Sequence, residues 1–494
     1  MKLKNITTLL PVYLLGLLLS FSSCKKWLDV NPKTQVKESK QFSTRQGYID
    51  ALFGVYQSAA AVQAYGGQLS FNMMDVLAQR YENKSSTITT MGKIARYNYT
   101  DTEIQTLIAS IFKAQYGTVA QANFILQNID ESAGILDETT RKIIKGEVLA
   151  MRAYVHFDLA RLFSERYDNG ANAGKSSVAY LKSFTVVPQT RLTLGEVLSQ
   201  CEADLKEAES LLAVNQNIDQ IKDNQGSTNS DLFLQYRQNH MNYWAVKALL
   251  ARLYLYKGDK INALKYSKEV IESTKFRFIT SAEINVDAGS TASDLTFSTE
   301  HIFSIYVSSL KAGADDLFKN TTTTGEVTDL WSTRAKLDAT YQASLVGYGT
   351  DVRRPGASKS LWNEIASTTV YSKKYWSDAP TNVKQRLIPL IKLSEMYYIA
   401  AEASPTIDEG IKFLNVVRAN RLIPEISAPT SQAAFDTEIQ FEYRKDFYAE
   451  GQLWFYYKRM NVLTLPDGIA NPMTTAKYVF PIPNDELEFG VAGN

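Results

Sequence analysis

The chain has 494 residues, with 53 Lys and Arg against 52 Asp and Glu, a net charge of +1. No bulk field therefore draws it to nucleic acid or to anionic lipid. It has only two cysteines, Cys24 and Cys201, too few for a disulfide framework, so its size must supply the core.

The chain opens with a leader. Lys2 and Lys4 make a short positive region, residues 9–19 are almost entirely apolar, and the small Ser22 and Ser23 follow. This is the pattern of a secretory signal peptide over residues 1–23. The apolar run falls short of the roughly 20 residues that span a bilayer. Cys24, directly after the small pair, matches a bacterial lipobox, where a diacylglycerol is attached to the thiol and the chain is cut just before it. One acyl chain holds a protein to a membrane marginally and two or more hold it firmly. Cys24 then becomes the first residue and the anchor of the mature chain. Residues 25–40, "KKWLDVNPKTQVKESK", show little periodicity and read as a tether.

From about residue 41 to 275 helix follows helix. "TRKIIKGEVLAMRAYVHFDLARLFSERYD" sets Ile144, Val148, Met151, Tyr154, Val155, Leu159 and Leu162 on one stripe. In "TLGEVLSQCEADLKEAESLLA", Thr193 and Glu196 predict a capping box, and Cys201 reads as a small core residue. "MNYWAVKALLARLYLYKGDKINALKYSKEVIES" is two helices broken at Gly258-Asp259. Its small Ala251 and Ala263 and its aromatic Tyr254 and Tyr266 resemble a tetratricopeptide helix pair. One such pair cannot bury its own apolar face, so several are expected. Residues 141–163 and 390–420 are further candidates, in an interrupted array.

Residues 276–385 change character. "SAEINVDAGSTASDLTFSTE" and "KNTTTTGEVTD" are rich in Ser, Thr and Gly. Two short strand-like runs lie among these loops, at 301–309 and 369–376. Loops of this length within a domain are usually functional. Helices return at about 390–403, 408–420 and 433–460. The tail "YVFPIPNDELEFGVAGN" reads as extended over the body.

These residues carry a family likeness. The lipobox cysteine with "WLDVNP" (27–32) resembles the mature start of the RagB/SusD family of outer-membrane nutrient-binding lipoproteins of Bacteroidetes. "GEVLAMRAYVHFDLARLF" (146–163), "EHIFSIYVSS" (300–309), "LIKLSEMYYIAAEAS" (390–404), "LNVVRANR" (414–421), "EYRKDFYAEGQLWFYYKRMN" (442–461) and "VFPIPNDELEFG" (479–490) resemble its later motifs, in the family's order. Lys392 stands where the family tends to have Arg, and Tyr443 where Arg is common. The resemblance implies a mainly α fold: a tetratricopeptide-like helical-pair scaffold with a long loop-rich insertion carrying a few short strands. It implies one domain over 41–494, divided into a helical scaffold (41–275), a loop-rich ligand region (276–385) and C-terminal helices with an extended tail (386–494). It also implies a non-enzymatic protein that captures glycans or other nutrients and passes them to a SusC-like TonB-dependent transporter.

Motifs for other chemistry are weak. "GANAGKSS" (170–177) is one residue short of a P-loop and follows a helix, not a strand. His156, His240 and His301 are far apart, and no metal-ligand spacing accompanies them, so neither a metal nor a cofactor is expected. No G-x-S-x-G elbow is present. A glycoside hydrolase needs only two placed carboxylates, and nothing singles out a pair. The lipid-anchored hydrolase and a helical-repeat scaffold for outer-membrane assembly stand as alternatives.

Two constellations remain. Glu438, Glu442, Asp446 and Glu450 recur every four residues on one helix, where like charges repel. An ion-paired seam with Arg418, Arg421, Arg444 and Lys445 is the expected reading, ahead of a cation-binding stripe. Sugars offer an apolar C–H face to aromatic rings and hydroxyls to polar side chains. Trp244 and Trp454 fall in helices and read as packing residues. Trp331, Trp362 and Trp376 fall in the loop-rich region, with Arg334 and Tyr341 near Trp331. Together with Asp75, Tyr81 and Asn83 of "FNMMDVLAQRYENKSS" they form the expected ligand surface.

Overall fold

The computed structural model describes residues 38–492, apart from 83, 169, 217–230, 235–236, 321–327 and 358. The leader, Cys24, the tether up to residue 37, and Asn83 lie outside the described residues.

The architecture is the mainly α scaffold that the sequence predicts. Its longer helices are α1 (Arg45–Ala59), α2 (Thr102–Ile129), α3 (Glu138–Phe163), α4 (Leu194–Leu212), α5 (Tyr243–Lys257), α6 (Lys260–Glu272), α7 (Leu310–Phe318), α8 (Leu393–Ala403), α9 (Ile407–Asn420), α10 (Gln432–Asp446) and α11 (Gln452–Arg459). From α1 to α6 each packs on the next; α6 then packs on α8, and α8 on α9. The array is interrupted in sequence by the loop-rich region and closes in space. Side-chain caps start eight of these helices. Thr44, Asp101, Asp137, Thr193, Asn242, Asp259, Thr406 and Ser431 each accept a backbone N–H of the first turn. The box at Thr193 and Glu196 forms in full. Among the described residues no helix is long and apolar enough to cross a membrane.

The α5–α6 pair follows the tetratricopeptide reading. Gly258 ends α5 in the left-handed region, φ +77°, and Asp259 caps α6. The rings of Tyr254 and Tyr266 stack at 5.6 Å between the two helices. The stripe on α3 is only part of its buried surface: its C-terminal half is buried on all sides, Arg152, His156, Asp158 and Arg161 included. Arg152 holds Asp204 of α4 by two bonds of 2.7 and 2.8 Å. His156 accepts the Leu181 N–H at Nε2 (3.0 Å), so Nδ1 carries the proton toward the Arg152 carbonyl (2.9 Å). It is a packing residue. Between α3 and α4 the described residues of 164–193 form no helix. "GANAGKSS" makes turns there, with no strand before it among the described residues.

Among the described residues five strands lie in or beside the loop-rich region: β1 (His301–Tyr306), β2 (Trp331–Ser332), β3 (Trp362–Ala366), β4 (Thr369–Ser372) and β5 (Leu387–Lys392). β1 pairs with β5, and β2, β4 and β3 form a second sheet in that order, all antiparallel. The strand expected to run to Trp376 stops at Ser372, and the tail coils into a short helix over Asn484–Phe489.

The single helix expected over 433–460 is two. Ala449 (φ +60°) and Gly451 (φ +72°) turn the chain between α10 and α11. A Cβ at Gly451 would lie 2.6 Å from the Leu69 carbonyl oxygen, so only glycine fits. Glu442 and Asp446 of α10, with Glu450 in the turn beyond it, form the expected seam with some partners changed, whereas Glu438 makes no ion pair among the described residues. Glu442 bonds Arg418 (3.0 Å), Arg353 (3.0 Å) and Lys445 (2.9 Å). Asp446 meets Arg421 at 3.2 Å, and Glu450 meets Lys374 (2.6 Å) and Lys392 (3.0 Å). Arg444 takes no part. It lies off this face, above the Phe441 ring and 3.8 Å from Asp467.

Candidate functional site

The structure brings the two sequence-selected stretches together, but into the core. Phe71 and Tyr81 of the first meet Phe318, Tyr375 and Tyr448 at ring separations of 5.0–6.3 Å. Trp362 joins them, 4.6 Å from Tyr448. Four of the predicted ligand residues are therefore corrected. Asp75 is fully buried and accepts the backbone N–H groups of Ala449 and Gly451. Burial holds its carboxyl up at about 7, against Arg80 and those two donors. The Tyr81 hydroxyl donates to the Phe71 carbonyl (2.7 Å), Tyr341 to Lys445 (3.1 Å), and the Trp362 indole to Arg353 (2.7 Å). All three rings are buried. Their polar atoms are satisfied internally, and no ring face is left for a ligand.

Trp331, Arg334 and Trp376 stay half-buried at the surface of the loop-rich region. The Trp331 carbonyl accepts the Glu82 N–H at 2.9 Å. Arg334 is engaged by Asp338 (2.9 Å) and Glu364 (2.7 Å). The Trp376 indole donates to the Phe318 carbonyl (3.1 Å), with the Lys319 ammonium 5.0 Å from its ring.

A built groove lies elsewhere, between α1 and the β1–β5 ribbon, with a volume of about 740 Å³. Small-molecule sites run from roughly 300 to 1,000 Å³. One wall is the outer face of α1, Phe53, Tyr56 and Gln57, three and four residues apart, with Ala60 and Ala61 just past its end. The opposite face of that helix, Leu52, Val55 and Ala59, is buried. Ser304 and Tyr306 alternate out of β1 to form the second wall, and Ser308, Ser309, Val383 and Leu387 complete it. Phe53 and Tyr306 are 47% and 46% exposed, so each presents a free ring face.

The floor is Asn239 and His240. Asn239 Oδ1 accepts from Ser304 Oγ at 3.0 Å. The His240 ring stands edge-on to Tyr56 at 4.7 Å. Behind it, fully buried Glu147 accepts from the Tyr56 hydroxyl (2.7 Å), faces His240 Nδ1 at 3.3 Å and pairs with Arg237. Burial, with the Arg237 charge beside it, keeps His240 far below its usual range and so neutral. Burial likewise raises the Tyr56 hydroxyl, which stays protonated. Sequence reading found β1 but missed this site. The available signal was Phe53, Tyr56 and Gln57 on the face of α1 opposite its apolar stripe. A second groove, about 540 Å³, lies between α2, residues 179–189 and the tail, and brings Lys113, Asp485 and Glu486 to its walls. Among the described residues no group of His, Cys, Asp and Glu is arranged to hold a metal ion.

A family model described as "SusD family" matches residues 209–481, more than half of the chain. The chain belongs to the SusD family. A second model, "Starch-binding associating with outer membrane", matches residues 26–255 of this SusD-family chain. Solved structures repeat the fold. A SusD superfamily protein from Bacteroides thetaiotaomicron matches with a TM-score of 0.66 at 22% identity, over 90% of this chain and 98% of its own. A putative sugar binding protein from Bacteroides vulgatus gives 0.67 at 22% identity over 90% and 97%. A SusD-like carbohydrate binding protein from Bacteroides vulgatus gives 0.66 at 18% over 90% and 96%. No curated protein matches the chain.

Proposed function

We propose that this SusD-family chain is a non-enzymatic capture protein. It is anchored in the outer membrane through a lipid on Cys24, exposed at the cell surface, and delivers a glycan to a SusC-like TonB-dependent transporter. The observation that carries the capture half is the α1–β1 groove, whose lining combines the exposed rings of Phe53 and Tyr306 with amides and hydroxyls. That combination suits a sugar, whose C–H face stacks on rings while its hydroxyls bond polar groups. The family description and the carbohydrate-binding relatives support the same reading. Among the described residues no Asp or Glu lines the groove, so the carboxylate pair of glycoside hydrolysis has no described residues to act through there. Trp331, Arg334 and Trp376, at the surface of the loop-rich region, form a second contact area for a longer glycan. The lipobox after the leader carries the anchoring half.

The test is a pull-down from detergent-solubilised outer membranes with a C-terminal tag, read by mass spectrometry. Recovery of a TonB-dependent transporter in near-equal amount supports delivery. Recovery of assembly factors alone, or of nothing, overturns it.

A further inference from the structure

We propose that the α1–β1 groove takes an uncharged saccharide, and that His240 selects it by accepting a hydrogen bond from a sugar hydroxyl at Nε2. The inference rests on the capture function proposed above and names the ligand class of that groove.

The lining decides the charge. None of the described residues that line it, from Phe53 on α1 to Leu387 on β5, is an acid, a lysine or an arginine. A carboxylate or sulfate entering here would lose water without gaining a counter-ion, which is unfavourable. The cation beneath the floor, Arg237, is engaged by Glu147. The cation at the rim, Arg386, is turned to the Tyr306 hydroxyl at 2.9 Å and to the Pro380 carbonyl at 3.1 Å. Neither is offered to the interior. A neutral ligand with donors and acceptors loses least on entry.

The geometry of His240 decides the role. A carboxylate only accepts hydrogen bonds, so the ring nitrogen facing Glu147, Nδ1, carries the proton. The same logic fixes the tautomer of many metal-bound and catalytic histidines. Nε2 is left with its lone pair, and among the described residues it has no partner. Glu147 is itself held by Tyr56 and Arg237, and the Tyr56 hydroxyl accepts the Met241 N–H at 2.9 Å. The imidazole is wedged edge-on between Tyr56 and Phe53, at 4.7 and 6.1 Å. An acceptor is thus fixed in place at the floor of a groove whose rim carries two exposed rings. A ligand group that donates, such as a hydroxyl, completes it. A ligand with an apolar face and no donor leaves the acceptor unpaired, which a site built to hydrogen-bond discriminates against. Gln57, Ser308 and Ser309 are placed to meet the remaining hydroxyls.

The experiment is calorimetric titration of the mature protein with neutral malto-, cello-, xylo- and mannooligosaccharides, and with oligogalacturonate and a sulfated heparin fragment. Four variants are compared: His240→Phe, His240→Gln, Phe53→Ala with Tyr306→Ala, and Trp331→Ala with Trp376→Ala. We expect at least one neutral sugar to bind and the acidic ones not to bind. His240→Phe, which keeps a ring without an acceptor, should weaken binding about tenfold or more. His240→Gln, which restores an acceptor oxygen, should recover most of that loss. The Phe53 and Tyr306 changes remove exposed rings and leave the core intact, so they test the groove even where a His240 variant is unstable. Preferred binding of acidic sugars overturns the inference. Loss in the Trp331 and Trp376 variant with wild-type affinity in the groove variants also overturns it, and leaves glycan capture standing. Failure of every sugar to bind overturns both.

Discussion

Arg421 and Glu300 meet as a two-pronged pair across 121 residues of chain, both N···O distances 2.6 Å and neither side chain exposed. Asp446 reaches the same guanidinium. The pair joins the loop-rich region to the end of α9 and to α10. Removing one member of such a pair leaves a buried charge without compensation, which costs about 3–5 kcal/mol. Arg421→Ala should therefore lower the unfolding free energy by about that much. Arg334→Ala is the control. Its partners, Asp338 and Glu364, are solvent-accessible, and exposed pairs are worth roughly 0–1 kcal/mol. Urea denaturation of both variants checks this, and equal losses would show that the seam is not a stabilising unit.

The same seam sets an acid limit. Burial pushes the Glu442 carboxyl up, but Lys445, Arg353 and Arg418 outweigh it and hold it at about 2, against an ordinary value of 4.5. Asp446 is likewise held low by Lys392, Arg421 and Arg353. A carboxyl lowered on folding stabilises the fold above its unfolded value and loses that contribution as pH falls through its folded one. Stability should be flat with respect to these groups above about pH 5 and fall between about 4.5 and 2. Glu442→Gln cannot lose a charge, so it should unfold more easily at pH 7 and show a shallower acid limb. Melting temperatures from pH 7 down to pH 3 measure both. An unchanged acid limb in the variant rejects the assignment.

A third prediction concerns the turn between α10 and α11. Asp75 accepts from the N–H groups of both Ala449 and Gly451. Asp75→Asn would set an N–H₂ donor against one of those donors, and an unsatisfied buried group costs about 1–3 kcal/mol. Gly451→Ala should be at least as damaging, because its φ is left-handed and its Cβ would strike the Leu69 and Ser70 carbonyls. Thermal unfolding of each checks this. If both variants melt within a degree of wild type, the turn is not held as the geometry says.

Local signals in the sequence survive into the structure and non-local ones do not. The Gly258-Asp259 break and the Thr193–Glu196 box each depend on residues within one or two turns, and each appears as read; the acidic period holds only to Asp446, because the turn at Ala449 and Gly451 takes Glu450 off α10. The partners of that acidic stripe came out mixed. Arg418 and Arg421 were within reach in sequence, whereas Arg353 and Lys374 arrive from the loop-rich region, as does Glu300, which shares Arg421 with the stripe. The ligand residues failed for the same reason. An aromatic in a loop and an aromatic in a core look alike in sequence. Tyr81 is drawn inward by Phe318 and Tyr448, and Trp362, with Tyr341 against it, by Tyr448, partners that lie far away in the chain. The α1–β1 groove was hidden because its walls are some 250 residues apart, at Phe53 and Tyr306.

The last prediction concerns attachment. In the proposed function outer-membrane residence rests on a lipid at Cys24; among the described residues no helix is long and apolar enough to cross a membrane. Acyl chains contribute about 0.8 kcal/mol per buried methylene, and stable anchoring takes more than one chain. Cys24→Ser keeps the leader and removes the thiol to which the lipid is attached. The variant should still be exported, should lose incorporation of labelled palmitate, and should move from the detergent-soluble membrane fraction to the aqueous one. Its fold and its sugar binding should be unchanged, because Cys24 precedes the described body by 14 residues. A wild-type protein found in the aqueous fraction without label would mean that Cys24 is a free thiol on a secreted protein. The transporter would then have to hold its partner by protein contacts alone.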